Sequence, residues 1–312
     1  MSMQYTTLCR TELNVSVAGI GCGGHSRLGT AQGKSMAHAA TIVRRAMDLG
    51  INFIDTAAAY GTEPAVGQAI KGQRDSVVIS TKASISQSGE LLSADKVQAS
   101  LENSLKTLGT DFIDVFNLHG VTLDEYEHAI QHILPMLKQQ KLAGKIRYLG
   151  ITEAFIRDPA HTMLQRALVD DHFDVIMVGF NLINPSARHT VFPLALKNNV
   201  ATQIMFAVRR ALSQPAALAE MVRELVQQRI VEGIDLGDPL NFVRDHHQVE
   251  SIVQAAYRFC RHEPGATVVL TGTGNAEHLE SNVDAILSPG LPDEVLTDLK
   301  KYFGKVDSVS GN

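Results

Sequence analysis

Short apolar segments alternate along nearly the whole chain with longer segments of helical spacing. Eight of the apolar segments have the length and β-branched content of strands, and they cover residues 15–20, 52–56, 77–81, 112–118, 145–151, 173–178, 201–208 and 266–272. Their apolar residues are largely consecutive instead of alternating with polar ones. This pattern favours strands that are buried on both faces, as in a parallel sheet.

The segments between these strands have the spacing of amphipathic helices. Ile42, Ala46 and Leu49, for example, fall on one face of a predicted helix that Ser35 would cap and Gly50 would end. A strand and its following helix together take about 36 residues, which suits a parallel βαβ crossover. Eight such units in succession, with no linker between them, predict an α/β fold of the (β/α)8 TIM-barrel type, with residues 1–312 in a single domain.

Three segments lie outside this repeat. Residues 4–14 are rich in turn-forming residues, and we expect a hairpin that closes the bottom of the barrel. Residues 209–247 make a long connection after the seventh strand, so we expect an extended active-site loop with helical parts there. Residues 292–303 are predicted to form a C-terminal helix.

The composition is that of a globular protein with a large core, since 45% of the residues are hydrophobic and 20% are charged. The formal net charge is -5, and Lys and Arg are scattered along the chain, which argues against nucleic acid or an acidic membrane surface as a partner. Cys9, Cys22 and Cys260 are far apart, so we expect a reducing compartment and no disulfide framework. Because no segment has the pattern of a signal peptide or a membrane span, we expect a soluble, cytoplasmic monomer or small homo-oligomer.

Four polar residues are predicted to meet at one end of the barrel. Asp55, Lys82 and His119 come at the carboxyl ends of the second, third and fourth strands, and Tyr60 follows Asp55 in the next loop. The active sites of TIM barrels lie at these strand ends. A buried carboxylate or ammonium group is costly unless it is paired, and Asp55 and Lys82 can pair with each other.

Four segments of the chain resemble the aldo-keto reductases: residues 52–61 (NFIDTAAAYG), 80–82 (STK), 112–119 (FIDVFNLH) and 144–151 (GKIRYLGI). The resemblance runs from about Leu8 to Leu287. It implies an oxidoreductase that interconverts aldehydes or ketones and alcohols, with NADP(H) or NAD(H) as its cofactor. Sugar aldoses, lactols and small reactive aldehydes are candidate substrates.

The resemblance also implies a role for each of the four polar residues. Tyr60 would give a proton to the carbonyl oxygen, and the charge of Lys82 would lower the pKa of this tyrosine towards the working pH. Asp55 would hold Lys82 in place. His119 would orient the carbonyl group of the substrate.

The cofactor contacts implied by the resemblance lie at several strand ends: Gly21, Thr152, Glu153, Phe206, Arg209, Gly272, Thr273, Gly274, His278 and Asn282. Thr273 would touch a phosphate and Asn282 the adenine. The glycines of residues 19–24 are expected to let the first loop approach the nicotinamide.

Several of these positions depart from the pattern of the family. Thr152 and Glu153 replace the Ser-Asn pair that often binds the nicotinamide carboxamide, and Met177 replaces a glutamine. Gly272 and His278 stand where a Lys and an Arg often bind the 2′-phosphate of NADP, and neither residue carries a fixed charge. We therefore expect weak discrimination between the two cofactors, although Arg209 or Arg210 could bind the phosphate instead.

Two other functions are compatible with a barrel of this kind. One is a nucleotide-binding barrel without turnover, which would act as a redox sensor or as an interaction subunit. The other is a Schiff-base lyase with Lys82 as the nucleophile, but that activity would leave Tyr60 without a role. No metal site is predicted, because the side chains of the adjacent His246 and His247 would point in different directions.

Overall fold

The computed structural model describes residues 2–312 and confirms the (β/α)8 barrel. Its eight parallel strands close in the order β1 to β8, with each strand hydrogen-bonded to the next and β8 to β1. The strands are β1 (Ala18–Gly21), β2 (Phe53–Asp55), β3 (Val78–Ser84), β4 (Ile113–Val121), β5 (Ile146–Glu153), β6 (Val175–Gly179), β7 (Ala201–Met205) and β8 (Val268–Thr271).

Helices follow each strand and form the outer layer of the barrel. Ser35 caps the first of them by accepting a hydrogen bond from the His38 amide, as the sequence predicts. The helices are α1 (Met36–Asp48), α2 (Glu63–Ile70), α3 (Ala94–Leu108), α4 (Leu123–His128), α5 (Leu134–Leu142), α6 (Thr162–Asp170), α7 (Ala187–Thr190), α8 (Phe192–Lys197), α9 (Arg210–Ser213), α10 (Pro215–Gln227), α11 (Asn241–Arg244), α12 (Ile252–Arg261), α13 (Ala276–Leu287) and α14 (Asp293–Phe303).

An antiparallel hairpin closes the amino end of the barrel. Its two strands, Tyr5–Thr7 and Asn14–Ser16, pair with each other, so the prediction that Val15 belongs to the first barrel strand is wrong. Leu8 and Val15 are fully buried and pack against the inward-facing residues at the bottom of the barrel, such as Phe53. The hairpin therefore fills this end with apolar side chains and leaves the opposite end free for a site.

The seventh strand is also shorter than its apolar pattern predicts. It ends at Met205, because Phe206 has a φ of 64° and leaves the extended conformation. The connection that follows contains α9, α10 and α11, but only its first residues line the cavity described below.

Two negative findings concern the described part of the chain. None of its helices is long and apolar enough to cross a membrane. Among residues 2–312, no three His, Cys, Asp or Glu side chains are grouped so that they could hold a metal ion.

Candidate active site

A cavity of about 1110 Å³ opens at the carboxyl ends of the strands. Its floor includes Asp55 at the end of β2, Tyr60 in the loop that follows, and His119 near the end of β4. The loop after β1, the loop after β7 and α12 contribute to its walls. The loop after β8 completes the rim. The structure thus brings the four predicted polar residues together at the end of the barrel where barrel enzymes have their sites.

Lys82 lies beneath this floor and is fully buried. Its Nζ atom is 2.5 Å from Oδ1 of Asp55, and it lies 5.3 Å from the centre of the Tyr60 ring. Burial by itself disfavours the ammonium form, but the negative charge of Asp55 together with Tyr60 raises the pKa of Lys82 above its usual value. The lysine is therefore a fixed cation under the tyrosine.

Tyr60 and His119 form the part of the site that a substrate can reach. The Tyr60 hydroxyl is 3.5 Å from Nε2 of His119, and the two rings meet edge to face with their centres 5.5 Å apart. Burial lowers the pKa of His119 to about 3, and the nearby charge of Lys82 acts in the same direction. His119 is therefore a neutral imidazole at any ordinary pH and can form hydrogen bonds without carrying charge.

The expectation that Lys82 brings the pKa of Tyr60 down towards neutral pH needs a correction. Burial of the phenol raises the pKa of Tyr60 above its usual value, and the charge of Lys82 offsets this only in part. Asp55 and the Cys22 thiol also act to raise it. The phenol is consequently protonated across the physiological range, which suits a proton donor.

The glycine-rich segment after β1 makes room for the Tyr60 ring. A Cβ atom added at Gly23 would lie 2.4 Å from a carbon of this ring. We expected these glycines to bring the first loop close to the nicotinamide, but the contact that requires a glycine at position 23 is with the catalytic tyrosine candidate.

We therefore expect Gly23→Ala to lower kcat for carbonyl reduction about tenfold or more, since a misplacement of about 1 Å can cost 10²-fold. The displaced ring would no longer present its hydroxyl next to His119. Gly290→Ala is the matched control, because a Cβ atom there would meet only ordinary contacts and Gly290 is not among the cavity-lining residues. A Gly23→Ala variant with the kcat of the wild type would contradict this reading of the loop.

Glu153, a predicted cofactor contact, lies at the cavity wall, but its carboxylate is already bonded to other parts of the protein. The side chain is fully buried, and Oε2 accepts a hydrogen bond of 2.9 Å from Nδ1 of His161. The other oxygen accepts a hydrogen bond of 2.7 Å from the Gly179 amide. Burial raises the pKa of Glu153, while His161 and this amide oppose the shift. The Glu153 carboxylate thus joins β5 to Gly179 at the end of β6 and to His161 before α6.

The hydroxyl of Thr152, the neighbouring predicted contact, accepts a hydrogen bond from the Gly120 amide at 2.7 Å. Met177 lines the cavity beside it and supplies no polar group. The side chains at the end of β5 and on β6 therefore offer a nicotinamide carboxamide only the Thr152 hydroxyl.

Phe206 and Arg209 stand together at the start of the loop after β7, and both line the cavity. The guanidinium carbon of Arg209 lies 3.8 Å from the centre of the Phe206 ring. The Nε atom of Arg209 is buried without a hydrogen-bond partner, and no carboxylate of residues 2–312 forms a salt bridge with this side chain. An unpaired cation at this position is suited to bind an anionic group of a ligand.

The loop after β8 leads into the amino terminus of α13. Asn275 caps this helix by accepting a hydrogen bond from the His278 amide, and the 12-residue helix begins beside the cavity. Gly272 and Gly274 allow this loop to approach the first one, since added Cβ atoms would lie 2.7 Å from the Gly21 oxygen and 2.4 Å from the Gly29 nitrogen. Such a helix terminus is a common binding place for phosphate.

Of the remaining predicted contacts, Gly21, Thr273, His278 and Asn282 line the same part of the cavity. The Asn282 amide donates to the Thr271 hydroxyl at 2.9 Å, and Tyr257 meets the same hydroxyl at 3.0 Å. Tyr257 and Gln254, from α12, are cavity residues that the sequence did not point to. Because they lie on an ordinary amphipathic helix, only the way α12 packs beside α13 reveals them.

Comparisons with known proteins agree with this geometry. The family model described as "Aldo/keto reductase family" matches residues 19–302. The aldo-keto reductase YhdN of Bacillus subtilis is 29% identical over 301 residues, which cover 89% of this chain and 87% of that protein. L-galactose dehydrogenase of Arabidopsis thaliana is 32% identical over 157 residues, or 48% of each chain.

The holo form of the aldo-keto reductase AKR11C1 from Bacillus halodurans superposes with a TM-score of 0.73 over 96% of each chain, at 24% identity, and so shares the fold. None of these names supports the alternative of a barrel without turnover. With a match that spans nearly the whole barrel, the chain belongs to the aldo/keto reductase family.

Proposed function

We propose that this oxidoreductase reduces the carbonyl group of a small aldehyde or ketone with Tyr60 as the proton donor. The observation that carries the proposal is the buried Lys82 ammonium group under the floor of the cavity, which is 2.5 Å from Oδ1 of Asp55 and 5.3 Å from the centre of the Tyr60 ring. The phenol gives its proton to the oxygen of the carbonyl group as negative charge develops there. The fixed charge of Lys82 stabilises the tyrosinate that remains.

His119 orients the substrate in this proposal. Its Nε2 atom and the Tyr60 hydroxyl lie within 3.5 Å, so one carbonyl oxygen can be placed within hydrogen-bond reach of both. Because the imidazole is neutral, it does not compete with Tyr60 as an acid. The Schiff-base alternative for Lys82 is disfavoured, since a lysine that is fully buried and held as a cation cannot attack a carbonyl group.

The family uses nicotinamide cofactors, and the residues of the cavity fit such a group. The start of α13 and the unpaired Arg209 side chain would hold its phosphates, and the Phe206 ring would pack against the nicotinamide. Asn282 and Tyr257 would border the adenine. When bound, the cofactor supplies or accepts the hydride, while the chain itself positions the carbonyl group and moves the proton.

We expect the enzyme to discriminate between NADPH and NADH by less than about thirtyfold in affinity, which corresponds to about 2 kcal/mol. The reason is that Gly272 and His278, at the positions implied for the 2′-phosphate, offer no permanent charge for a charge-assisted hydrogen bond. Both dissociation constants can be measured by fluorescence quenching at one ionic strength.

Arg209 is the residue that could overturn this expectation. If it binds the 2′-phosphate, NADPH will be preferred more than a hundredfold, and Arg209→Ala will remove that preference. Arg223→Ala is the matched control, because Arg223 is exposed on α10 in the same connection and is not among the residues that line the cavity.

The substrate class we propose is a small polar carbonyl compound, with aldoses and lactols as the first candidates. Support comes from the name of the Arabidopsis relative, L-galactose dehydrogenase. Initial rates of NAD(P)+ reduction with L-galactose, D-glucose and benzyl alcohol would test it. Turnover of benzyl alcohol without turnover of either sugar would exclude the sugar assignment and leave the chemistry at Tyr60 intact.

A further inference from the structure

A polar cluster lies inside the barrel, one layer below the candidate catalytic residues. It consists of Ser80 on β3, Asn117 on β4 and Gln203 on β7, and all three residues are fully buried. Polar groups in the core of a barrel are costly unless they are bonded, so a cluster of this kind calls for a function. The side chains of this cluster meet the candidate active site where the Ser80 hydroxyl lies 3.0 Å from Oδ1 of Asp55.

The orientation of the Asn117 amide is fixed by its surroundings. The Nδ2 atom lies 3.1 Å from the Thr81 carbonyl oxygen and 3.0 Å from Oγ of Ser80. A carbonyl oxygen can only accept, so the nitrogen of Asn117 must face it, and the amide therefore donates to the serine. The Oδ1 atom of Asn117 is buried without a hydrogen-bond partner. Turning the amide over would not help, because Oδ1 would then face the Thr81 carbonyl oxygen, and both atoms are acceptors.

The position of the serine proton follows from this arrangement. Asn117 donates to Oγ of Ser80, and the Gln203 amide donates to the same atom at 3.2 Å. The single hydroxyl proton is then directed to Oδ1 of Asp55 at 3.0 Å, since the other acceptor within reach, on Gln203, is farther away at 3.4 Å. Two amides thus polarise a hydroxyl whose proton points at the same oxygen that Lys82 binds.

We propose that Ser80 is a positioning residue that holds the Asp55 carboxylate against Lys82 and sets how strongly the lysine charge acts on Tyr60. The inference rests on the proposed role of Tyr60. When the Ser80 hydroxyl donates a hydrogen bond to the Asp55 carboxylate, the negative charge of Asp55 opposes the effect of the Lys82 charge on the Tyr60 phenol less strongly. Without the hydroxyl, Tyr60 becomes a weaker acid and its tyrosinate becomes harder to form.

The titratable groups near this unit come from five elements, and one of them, the buried Glu63 on α2, is hydrogen-bonded to Thr81 and interacts with the charge of Lys82. Asp55 on β2, Lys82 on β3, His119 on β4 and Cys22 after β1 surround the Tyr60 ring. Burial keeps the pKa of the Cys22 thiol raised and that of His119 low, so neither group changes its charge between pH 6 and 9. A change in the proton affinity of Tyr60 after substitution of Ser80 would therefore come through Asp55 and Lys82.

The test compares the two directions of the reaction in Ser80→Ala, with benzyl alcohol and benzaldehyde as probes. Oxidation of the alcohol requires Tyr60 to accept a proton, so log(kcat/KM) for oxidation rises with pH. We expect Ser80→Ala to shift this line towards higher pH by about half to one pH unit, which makes oxidation about threefold to tenfold slower at a given pH. Because the equilibrium between aldehyde and alcohol is fixed at each pH, kcat/KM for reduction should fall by the same factor while cofactor affinity stays unchanged.

Three further variants separate positioning from mere packing. Ser80→Thr keeps the hydroxyl and should restore the pH line of the wild type, and Gln203→Met, which leaves Asn117 as the only donor, should give a smaller displacement in the same direction. Ser16→Ala is the matched control: Ser16 is also fully buried and hydrogen-bonded, but it lies at the other end of the barrel. An unchanged pH line in Ser80→Ala, or the same displacement in Ser16→Ala, would overturn the proposal.

A second readout does not depend on turnover. Tyrosinate absorbs in the ultraviolet, and the chain has six tyrosines. The ionisation of Tyr60 alone is obtained by subtracting the absorbance of the same protein with Tyr60→Phe. At pH 10 this difference should be smaller with Ser80→Ala than with Ser80 in place. If the wild type reduces no carbonyl compound, the proposed function fails, while an unchanged absorbance difference would overturn the role of Ser80 by itself.

Discussion

Tyr60→Phe is expected to lower kcat for carbonyl reduction by at least about 10²–10⁴-fold, the usual contribution of a general acid. The ring and its contact with His119 remain, and only the proton donor is lost. Affinity for the cofactor should stay within about twofold of the wild type, because the hydroxyl is proposed to act on the substrate only. Single-turnover rates with a saturating aldehyde, together with fluorescence titration of the cofactor, measure both quantities.

Tyr126→Phe is the control for the loss of a buried phenol. Tyr126 is buried and donates a hydrogen bond of 3.2 Å to Asp170, outside the cavity. Its replacement should lower stability slightly and leave kcat unchanged. If Tyr60→Phe kept more than half of the wild-type kcat, Tyr60 could not be the acid.

Lys82→Met is expected to slow the reaction as much as Tyr60→Phe, and the double variant should be hardly slower than either single one. The lysine acts on the chemistry through the tyrosine, and residues that work as one unit show losses that do not multiply. Removal of the lysine also leaves Asp55 buried without its partner. Since burial raises the pKa of Asp55, this carboxyl group should take up a proton in the variant and limit the loss of stability.

The measurement is a double-mutant cycle in kcat/KM, with thermal unfolding recorded for every variant. Lys145→Met is a suitable control for the loss of a lysine, because the half-exposed Lys145 pairs with Glu102 on the outside of the barrel. Fully multiplicative losses in the Tyr60 and Lys82 double variant would show that the two residues act independently.

The sequence predicted the fold and the four-residue cluster because both depend on regular features. Eight apolar segments at even spacing have few ways to pack, and polar residues at the ends of adjacent parallel strands must meet at one end of a barrel. The predicted boundary at Val15 failed for a local reason. An apolar residue of the hairpin that closes the barrel looks the same in the sequence as an apolar residue of a barrel strand. Only the pairing of Val15 with the strand at residues 5–7 shows that it belongs to the hairpin.

The site beyond these four residues depends on contacts that no local pattern contains. Glu153 occupies the position of a cofactor contact, but its side chain turns away to His161, a residue held at a φ of 62° in the following loop. Ser80 and Gln203 are far apart in the chain and meet only because β3 and β7 face each other across the barrel. In both cases, the sequence shows which groups are present but not which of them are partners.

The left-handed backbone at Phe206 has a consequence for attempts to stabilise this protein. A non-glycine residue in this conformation costs about 1–2 kcal/mol, so Phe206→Gly or Phe206→Asn would relax the main chain. The same substitutions would remove the ring that Arg209 covers and that is proposed to face the nicotinamide. A screen that selects for thermostability alone would therefore tend to accept changes at this position that erode catalysis. Position 206 should be held fixed in any library made to raise the melting temperature.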